Sequence, residues 1–560
     1  MVKKNNKRGE DFLILGIGVF LLVIINILAN MFPLRIDLTE EKRYTISDAT
    51  KEMLRDLDDI VYVEVYLEGE FPAGFRRLQR SIRETLDEFR SFAGRNIQYK
   101  FIDPATAKSG QARNDFYTML ADKGIQPTNL YDTDKGSKIE KLMFPGALVS
   151  YGGKETGVML LKGNIAATAE QKLNQSVEGV EYELASAIRQ VIREQRKRVA
   201  ILQGHGELDS LNLIGLTNPL REKYQVDFVN LSAVENLQAY DGIIMAKPTI
   251  PVGEQNKFKI DQFILNGGKA MFFIESMEIM ADSIGREHNY ALPLNHNMDD
   301  QFFQYGFRVN QNLIQDLTSG AQPVVVGQMG DQPQIRMLPW PFYPIINKFS
   351  NHPIVKNLDA VFTRYTSTID TVKAPGVLKT PLMFTSQYSR IMATPVKVSL
   401  TDLRNNINQE AFGQRYLPVG YLMEGTFTSL YKNRILPPGI KSNNFKDMGM
   451  SGIIICSDGD LVKNDINARS NQPYPLGYDP YTQYTFSNLE FVQNALEYLL
   501  DEGGLITARA KEIKIRPLDK IRIENEKIFW QIINLVLPLL LIIAYGIIRF
   551  YIRKNKYSRF

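Results

Sequence analysis

Two long apolar runs, one at each end, constrain this chain more than any other feature. Phe12–Phe32 is apolar except for Asn26 and Asn30, and Ile528–Tyr551 contains Gln531, Asn534 and Pro538 and is otherwise apolar up to Ile548. At 1.5 Å rise per residue, a helix over the first run reaches roughly 30 Å, about the thickness of a hydrocarbon core. The first run is longer than a signal-peptide core of about 7–15 residues, and no small-x-small cleavage site follows it, so it reads as a retained anchor. In the second, Phe529, Trp530, Phe550 and Tyr551 stand where an interfacial aromatic belt would lie. Proline is tolerated inside a membrane helix because neighbouring groups satisfy the freed carbonyl. The expectation is a transmembrane helix over 12–32 and another over 528–551.

The flanking charges orient both spans. Lys3, Lys4, Lys7 and Arg8 precede the first, and Arg549, Arg553, Lys554, Lys556 and Arg559 close the second. The inner flanks mix signs: Arg35, Asp37, Glu40, Glu41 and Lys42 on one side, Arg522, Glu524, Glu526 and Lys527 on the other. The positive-inside rule places 1–11 and 552–560 in the cytoplasm and everything between the spans on the outer face.

A chain of 560 residues exceeds what one core supports, so two or three globular units are expected besides the spans. A mean hydropathy of −0.20 excludes a multi-span transporter body. The formal charge of +4 is too small for this length to point to nucleic acid. Cys456 is the sole cysteine, which rules out an intrachain disulfide and a cysteine-held zinc, and an exported domain without disulfides suits a bacterial envelope.

The fold class expected is α/β: a periplasmic αβ domain (33–165) followed by a doubly wound parallel-sheet, Rossmann-like domain (166–510). In the first, Ile60–Leu67 reads as a strand. Phe75, Leu78, Ile82, Leu86, Phe89 and Phe92 mark an amphipathic helix ended by Gly94, and Ile97–Ile102 is the next strand. A further helix (about 112–123), the strand Gly146–Tyr151 and a hairpin partner in 155–161 complete it. Leu173, Val177, Val180, Leu184, Ile188 and Val191 then mark a long helix, and the basic residues Arg193, Arg196, Lys197 and Arg198 read as its solvated end. From 198 the rhythm alternates: strands 198–202, 226–231, 240–246 and 269–274, with helices 211–223 and 255–266 between them. A β-containing insertion occupies about 320–445, with strand-like runs at 324–326, 381–385 and 420–430. The strand 451–456 rejoins the sheet, the helix 488–501 follows, and a charged linker, 511–527, leads back to the membrane.

Candidate chemistry is sparse. No P-loop pattern occurs, so any ATP hydrolysis belongs to a separate subunit. Gly204, His205, Gly206 and Glu207 follow a parallel strand, where doubly wound sheets bind ligands, so they are the candidate ligand-binding residues. The glycines are equally explained as tight-turn positions, which is the heavier reading, because no nucleophile or third metal ligand stands beside the His–Glu pair. Cys456, a conceivable amidotransferase-like nucleophile, ends an isoleucine run and reads as a buried small hydrophobe. Asp458 and Asp460 flank a glycine but lack the later ligands of a calcium loop, so they read as a turn. His288, His296 and His352 lack metal-ligand spacing and read as surface residues. No catalytic residue, metal or cofactor is expected.

Four stretches together resemble the GldG family, gliding-associated auxiliary components of ABC transporters in Bacteroidota. They are Arg35–Ser47 (RIDLTEEKRYTIS), Val180–Ile188 (VEYELASAI), Ile201–Glu207 (ILQGHGE) and Ser457–Asn464 (SDGDLVKN). The resemblance covers nearly the whole chain. It implies an inner-membrane protein whose periplasmic part works with a separate ABC permease and, through it, an ATPase, in gliding motility and associated secretion. The family is often described as substrate-binding, and the resemblance carries no catalytic residues. Asn26, Asn30, Gln531 and Asn534 are the candidates for hydrogen bonding between membrane helices. Two other readings stand beside this one: a periplasmic ligand receptor using Gly204–Glu207, and a degenerate amidotransferase-like envelope hydrolase.

Overall fold

The computed structural model describes residues 7–31, 45–106, 110–134, 137–161, 168–193, 195–280, 289–329, 332–404, 408–438, 440, 445–501, 503–510 and 520–557. Contacts divide the chain into two units, Met1–Lys511 and Glu512–Phe560. The second is the helix Lys520–Tyr557, whose stretch Ile523–Asn555 is the one helix among the described residues long and apolar enough to cross a membrane. The N-terminal run forms the helix Lys7–Met31, with Leu15–Ile27 as a shorter apolar stretch. Most of the Arg35–Ser47 segment and part of the 511–527 linker lie outside the described residues.

The smaller sheet of the first unit takes the order Ile97–Phe101, Val61–Val65, Gly146–Tyr151, Lys154–Met159. The first pair is parallel and the rest antiparallel. Helix Ala73–Ala93 connects the parallel pair, and its 3.6-residue apolar stripe puts Leu78, Ile82, Leu86 and Phe89 at zero exposure. Each contributes about 1.5–3 kcal/mol of burial. Gly94, with φ of 61°, ends this helix as its spacing predicts. Helix Ala169–Ile192 starts at a capping box of Thr168 and Gln171 and lays Val180, Leu184, Ile188 and Val191 into the same core. The division expected at 165 thus falls just ahead of a helix that shares its apolar face with the N-terminal core.

The larger sheet has eight strands, in the order Lys348–Phe349, Val377–Phe384, Pro418–Thr428, Met448–Cys456, Lys269–Phe273, Gly242–Ala246, Arg198–Gln203, Gln225–Asn230. The last five are parallel. Every residue of Gly242–Ala246 is buried, because helices cover both faces. Leu216 and Leu220 of Ile214–Lys223, with Phe491, Ala495 and Leu499 of Asn488–Leu500, fill one side. Ile260, Phe263 and Ile264 of Glu254–Leu265, with Phe302 and Tyr305 of Asp299–Tyr305, fill the other.

One expectation is corrected. The sheet is mixed rather than wholly parallel, since Val377–Phe384 and Pro418–Thr428, expected inside the insertion, add antiparallel strands beside Met448–Cys456. The run Gly420–Leu430 alternates too weakly to reveal which sheet it joins; the ladder Gly420↔Cys456 to Thr428↔Met448 decides it. The basic run after Ile192 stands exposed or half-exposed at the helix end and makes surface contacts there. Arg196 donates to Arg221 O at 2.9 Å, Lys197 pairs with Asp241 at 3.2 Å, and Arg198 pairs with Asp227 at 2.9 Å. The rest of the insertion forms small sheets and the long hairpin Ser319–Met329/Gln332–Ile346, on which Val325, Ile335 and Met337 expose apolar surface.

Candidate functional site

In chain order the five parallel strands lie 2-1-3-4-5, so the direction of winding reverses between Arg198–Gln203 and Gly242–Ala246. The crevice beyond the carboxyl ends at such a reversal is where open α/β sheets take ligands. The loop Gly204–Glu207 forms one wall and Lys247–Ile250 the other.

The two walls are tied together. The backbone oxygen of His205 accepts from the N–H groups of Thr249 (2.9 Å) and Ile250 (2.8 Å), and Thr249 Oγ1 donates to Gly206 O at 2.9 Å. Both glycines are required: φ is 115° at Gly204 and 70° at Gly206, and a Cβ on Gly206 would stand 2.1 Å from Thr249 Oγ1. The ring of His205 is turned inward, at 4% exposure for the residue. Its Nδ1 lies 3.3 Å from Glu207 Oε1, while Glu207 Oε2 accepts the His205 N–H at 2.6 Å. Its Nε2 lies 3.1 Å from the amide nitrogen of Asn256, which also donates to Ser232 Oγ. An ionised carboxylate only accepts and an amide nitrogen only donates, so this network assigns the proton to Nδ1 and the lone pair to Nε2. Asn256 Oδ1 in turn accepts from Lys259. Both ring nitrogens serve the loop itself.

Along the same edge the next three strands deliver a charged cluster. Lys247 follows Gly242–Ala246, Glu275 follows Lys269–Phe273 by one residue, and Asp458 and Asp460 follow Met448–Cys456. Lys247 holds a φ of 56°, and Gly459 packs so closely over it that a Cβ there would stand 2.7 Å from Lys247 Cβ. The ammonium is 2.7 Å from Asp460 Oδ2 and 3.4 Å from Glu275 Oε2. Among the described residues neither oxygen of Glu275 has a hydrogen-bond partner, and the residue is 3% exposed. Burial holds the Glu275 carboxyl well above the usual range, against the pull of Lys247. Burial and then the neighbouring Asp460 push Asp458 up to about 7. Burial also works against charge on Asp460, but Lys247 and Lys463 outweigh it and keep that group below its ordinary value.

Asp458 is a structural cap. Its Oδ1 accepts from the N–H groups of Asp460 (2.7 Å) and Leu461 (3.1 Å), and its Oδ2 accepts from Arg364 N–H at 2.7 Å. The Arg364 guanidinium forks onto Asp465 at 2.9 and 2.5 Å beside the rings of Tyr343 and Phe362. Ser457 and Ser367 exchange further bonds, so the insertion is fastened over this half of the edge. The turn reading of Asp458 and Asp460 therefore has backbone donors and a lysine where a calcium ion would need free oxygens. Among the described residues no group of three or more His, Cys, Asp or Glu side chains is arranged to hold a metal.

Cys456 is fully buried within its strand, and burial pushes its thiol well up, away from the nucleophilic thiolate. His296, expected at the surface, is 2% exposed: its Nδ1 accepts from Met298 N–H at 3.2 Å beside the helix Asp299–Tyr305. His352 is half-buried against Tyr498, and His288 lies outside the described residues. Asn26, Gln531 and Asn534 are exposed on their helices, and the side chain of Asn30 is outside the described set. Sequence reasoning missed Lys247 and Glu275. The available signal was position: each stands one or two residues past the apolar end of a parallel strand.

A family model described as an ABC-type uncharacterized transport system matches residues 196–495, more than half of the chain and nearly all of the larger sheet with its edge. The chain belongs to this ABC-type transport-system family. A second model, a domain of unknown function, matches 40–150 in the N-terminal αβ part of this transport-system protein. An uncharacterized protein of Borreliella burgdorferi is 21% identical, over 98% of this chain and 99% of its own. Among solved structures, the mmIFT52 N-terminal domain matches at a TM-score of 0.31 and 11% identity, covering 55% of this chain and 98% of that one. A ThuA-like protein of Parabacteroides merdae matches at 0.27 and 11%, covering 55% and 91%. The family is thus one of transport systems, and its description names no enzyme class.

Proposed function

We propose that this protein is a membrane-anchored auxiliary subunit of an ABC transporter that acts by contact with a separate permease and, through it, an ATPase. The family match and the membrane-length helix Ile523–Asn555 support the setting. The observation that carries the mode of action is the crevice at the strand-order reversal, whose walls are bonded to each other through His205 O, Thr249 and Ile250. A solute at Gly204, His205, Gly206 and Glu207 would have to part those bonds, whereas a protein contact on the outer surface would leave them in place. The exposed apolar side chains Val325, Ile335 and Met337 offer such a surface.

The finer reading has two spans, over 12–32 and 528–551, with both termini cytoplasmic and the bulk periplasmic in the inner membrane. It rests on the basic outer flanks. The GldG-like stretches support a role in gliding motility and associated secretion. Asn26, Asn30, Gln531 and Asn534 would hydrogen-bond to permease helices. Purification of the full chain from cross-linked native membranes is expected to recover an ABC permease and its ATPase, and recovery of neither overturns the reading. Leucine at those four positions is expected to weaken co-purification; undiminished recovery removes them from the contact.

A further inference from the structure

The two stretches that lead toward the terminal apolar helices are both fastened to one helix, Ala169–Ile192, at consecutive residues. On the N-terminal side, Ser47 caps the helix Asp48–Arg55, and its N–H donates to Glu181 Oε1 at 2.6 Å. Thr50, fully buried, donates its hydroxyl to the same oxygen at 3.0 Å. On the C-terminal side, Ile506 and Ala508 of the turn Leu505–Ala510 pack on Tyr182, and the Arg509 guanidinium lies 5.3 Å from the Tyr182 ring centre while pairing with Glu490 at 2.5 Å. Ile46, Leu54 and Leu505 enter one core together with Val180, Leu184 and Ile188. Further along, the same helix reaches the helix Asn488–Leu500 that packs on the larger sheet: Ser186 donates to Glu497 at 3.1 Å, and Arg189 pairs with Asp501, which also accepts from Leu505 N–H.

We propose that helix Ala169–Ile192 is a coupling element, clamped to both leads through Glu181 and Tyr182, that delivers a displacement of either lead to the C-terminal end of helix Asn488–Leu500. The physical ground is that packed, hydrogen-bonded elements shift as units, whereas an isolated lead would be absorbed by its own loop. A carboxylate oxygen shared by a backbone N–H and a hydroxyl is also costly to strand, so the N-terminal lead cannot slide without moving Glu181. This goes beyond the proposed function and uses only its membrane anchoring, not the identity of any partner.

The test is hydrogen exchange of the full chain in lipid nanodiscs. Glu181→Ala is expected to speed exchange about tenfold in 48–55, the equivalent of about 1.4 kcal/mol of opening free energy. In the same sample it is expected to speed exchange several-fold in 505–510 and at 184–192, with Gly242–Ala246 unchanged. Arg509→Gln is expected to act reciprocally on 48–55. Should Glu181→Ala unfold the smaller sheet, seen as lost protection in 97–101, Thr50→Val removes a single bond and is expected to give the same pattern at smaller size. Loosening confined to the lead that was mutated, with 184–192 unmoved, overturns the coupling. Failure to recover a permease would overturn the proposed function and leave these exchange rates as they are.

Discussion

The two halves of the sheet's carboxyl edge solve one problem in opposite ways. Around His205 the buried polar groups form a continuous hydrogen-bonded network, from Glu207 through the imidazole to Asn256 and Ser232. Around Lys247, at the end of the neighbouring strand, the groups are charged, Glu275 has two oxygens without hydrogen bonds among the described residues, and burial with Asp460 pushes Asp458 up to about 7. A satisfied network specifies a loop conformation through its hydrogen bonds. An ionic cluster with more carboxylates than ammonium groups specifies a conformation only in the protonation state that balances it. Sensitivity to conditions is therefore expected on the Lys247 side, where the insertion is fastened.

The sharpest way to break this contrast is Lys247→Met. It leaves Asp460 and Glu275 buried without their cation and is expected to destabilise the full chain by roughly 3–5 kcal/mol, read from thermal unfolding in detergent. A loss under about 1 kcal/mol would mean the ion pairs matter no more than surface ones. On the other half, Gly206→Ala forces a residue into φ of 70° with its Cβ against Thr249, for a loss of roughly 2–4 kcal/mol. A smaller loss would show that the loop opens readily, which favours the ligand-receptor reading.

The pH dependence is the smallest effect and the most discriminating. Asp458 is raised from 3.8 to about 7 in the folded state, so between those values the native protein holds a proton that the unfolded chain has released. Its contribution is fully present below about pH 4 and is lost as pH rises through 7, a slope of up to about −1.4 kcal/mol per pH unit. Glu275, also raised, acts in the same direction. The opposite shift of Asp460 operates below its ordinary value, outside the pH 5–7 window. Lys247, Lys463, Arg364, Asp465 and Tyr343 face the cluster; of these, Lys247, Arg364 and Tyr343 are raised from ordinary values already well above 7 and keep their protons across that window. Asp458→Asn is expected to flatten the stability profile between pH 5 and 7. A slope that Asp458→Asn leaves unchanged would remove the contrast.

Much of this architecture is legible in the sequence because it follows from local periodicity. The stripe Leu78, Ile82, Leu86, Phe89 and the run Gly242–Ala246 need no distant partner to declare a helix and a buried strand. The end-capping Gly94 and the turn glycines 204 and 206 announce themselves by residue type. The strand at 451–456 rejoins the sheet as its isoleucines predict. Pro418–Thr428 is different: its membership of the larger sheet depends on a ladder formed across a connection that sequence pattern does not specify. His296 is different too, since a histidine beside a helix start can face water or turn in, and packing against Phe302 settles which.

Apolar runs and alternation alone dictate an apolar helix near each end and the α/β elements of the sequence between them, since burial of apolar surface is the dominant local term. The likeness to an ABC-transporter auxiliary also follows from the sequence. Tertiary structure alone decided that Lys247, Glu275, Asp458 and Asp460 share one buried site, and that residues 46–54 and 505–509 meet on helix Ala169–Ile192. Charges act through space on whatever the fold brings within a few ångströms, and no spacing along the chain encodes that neighbourhood.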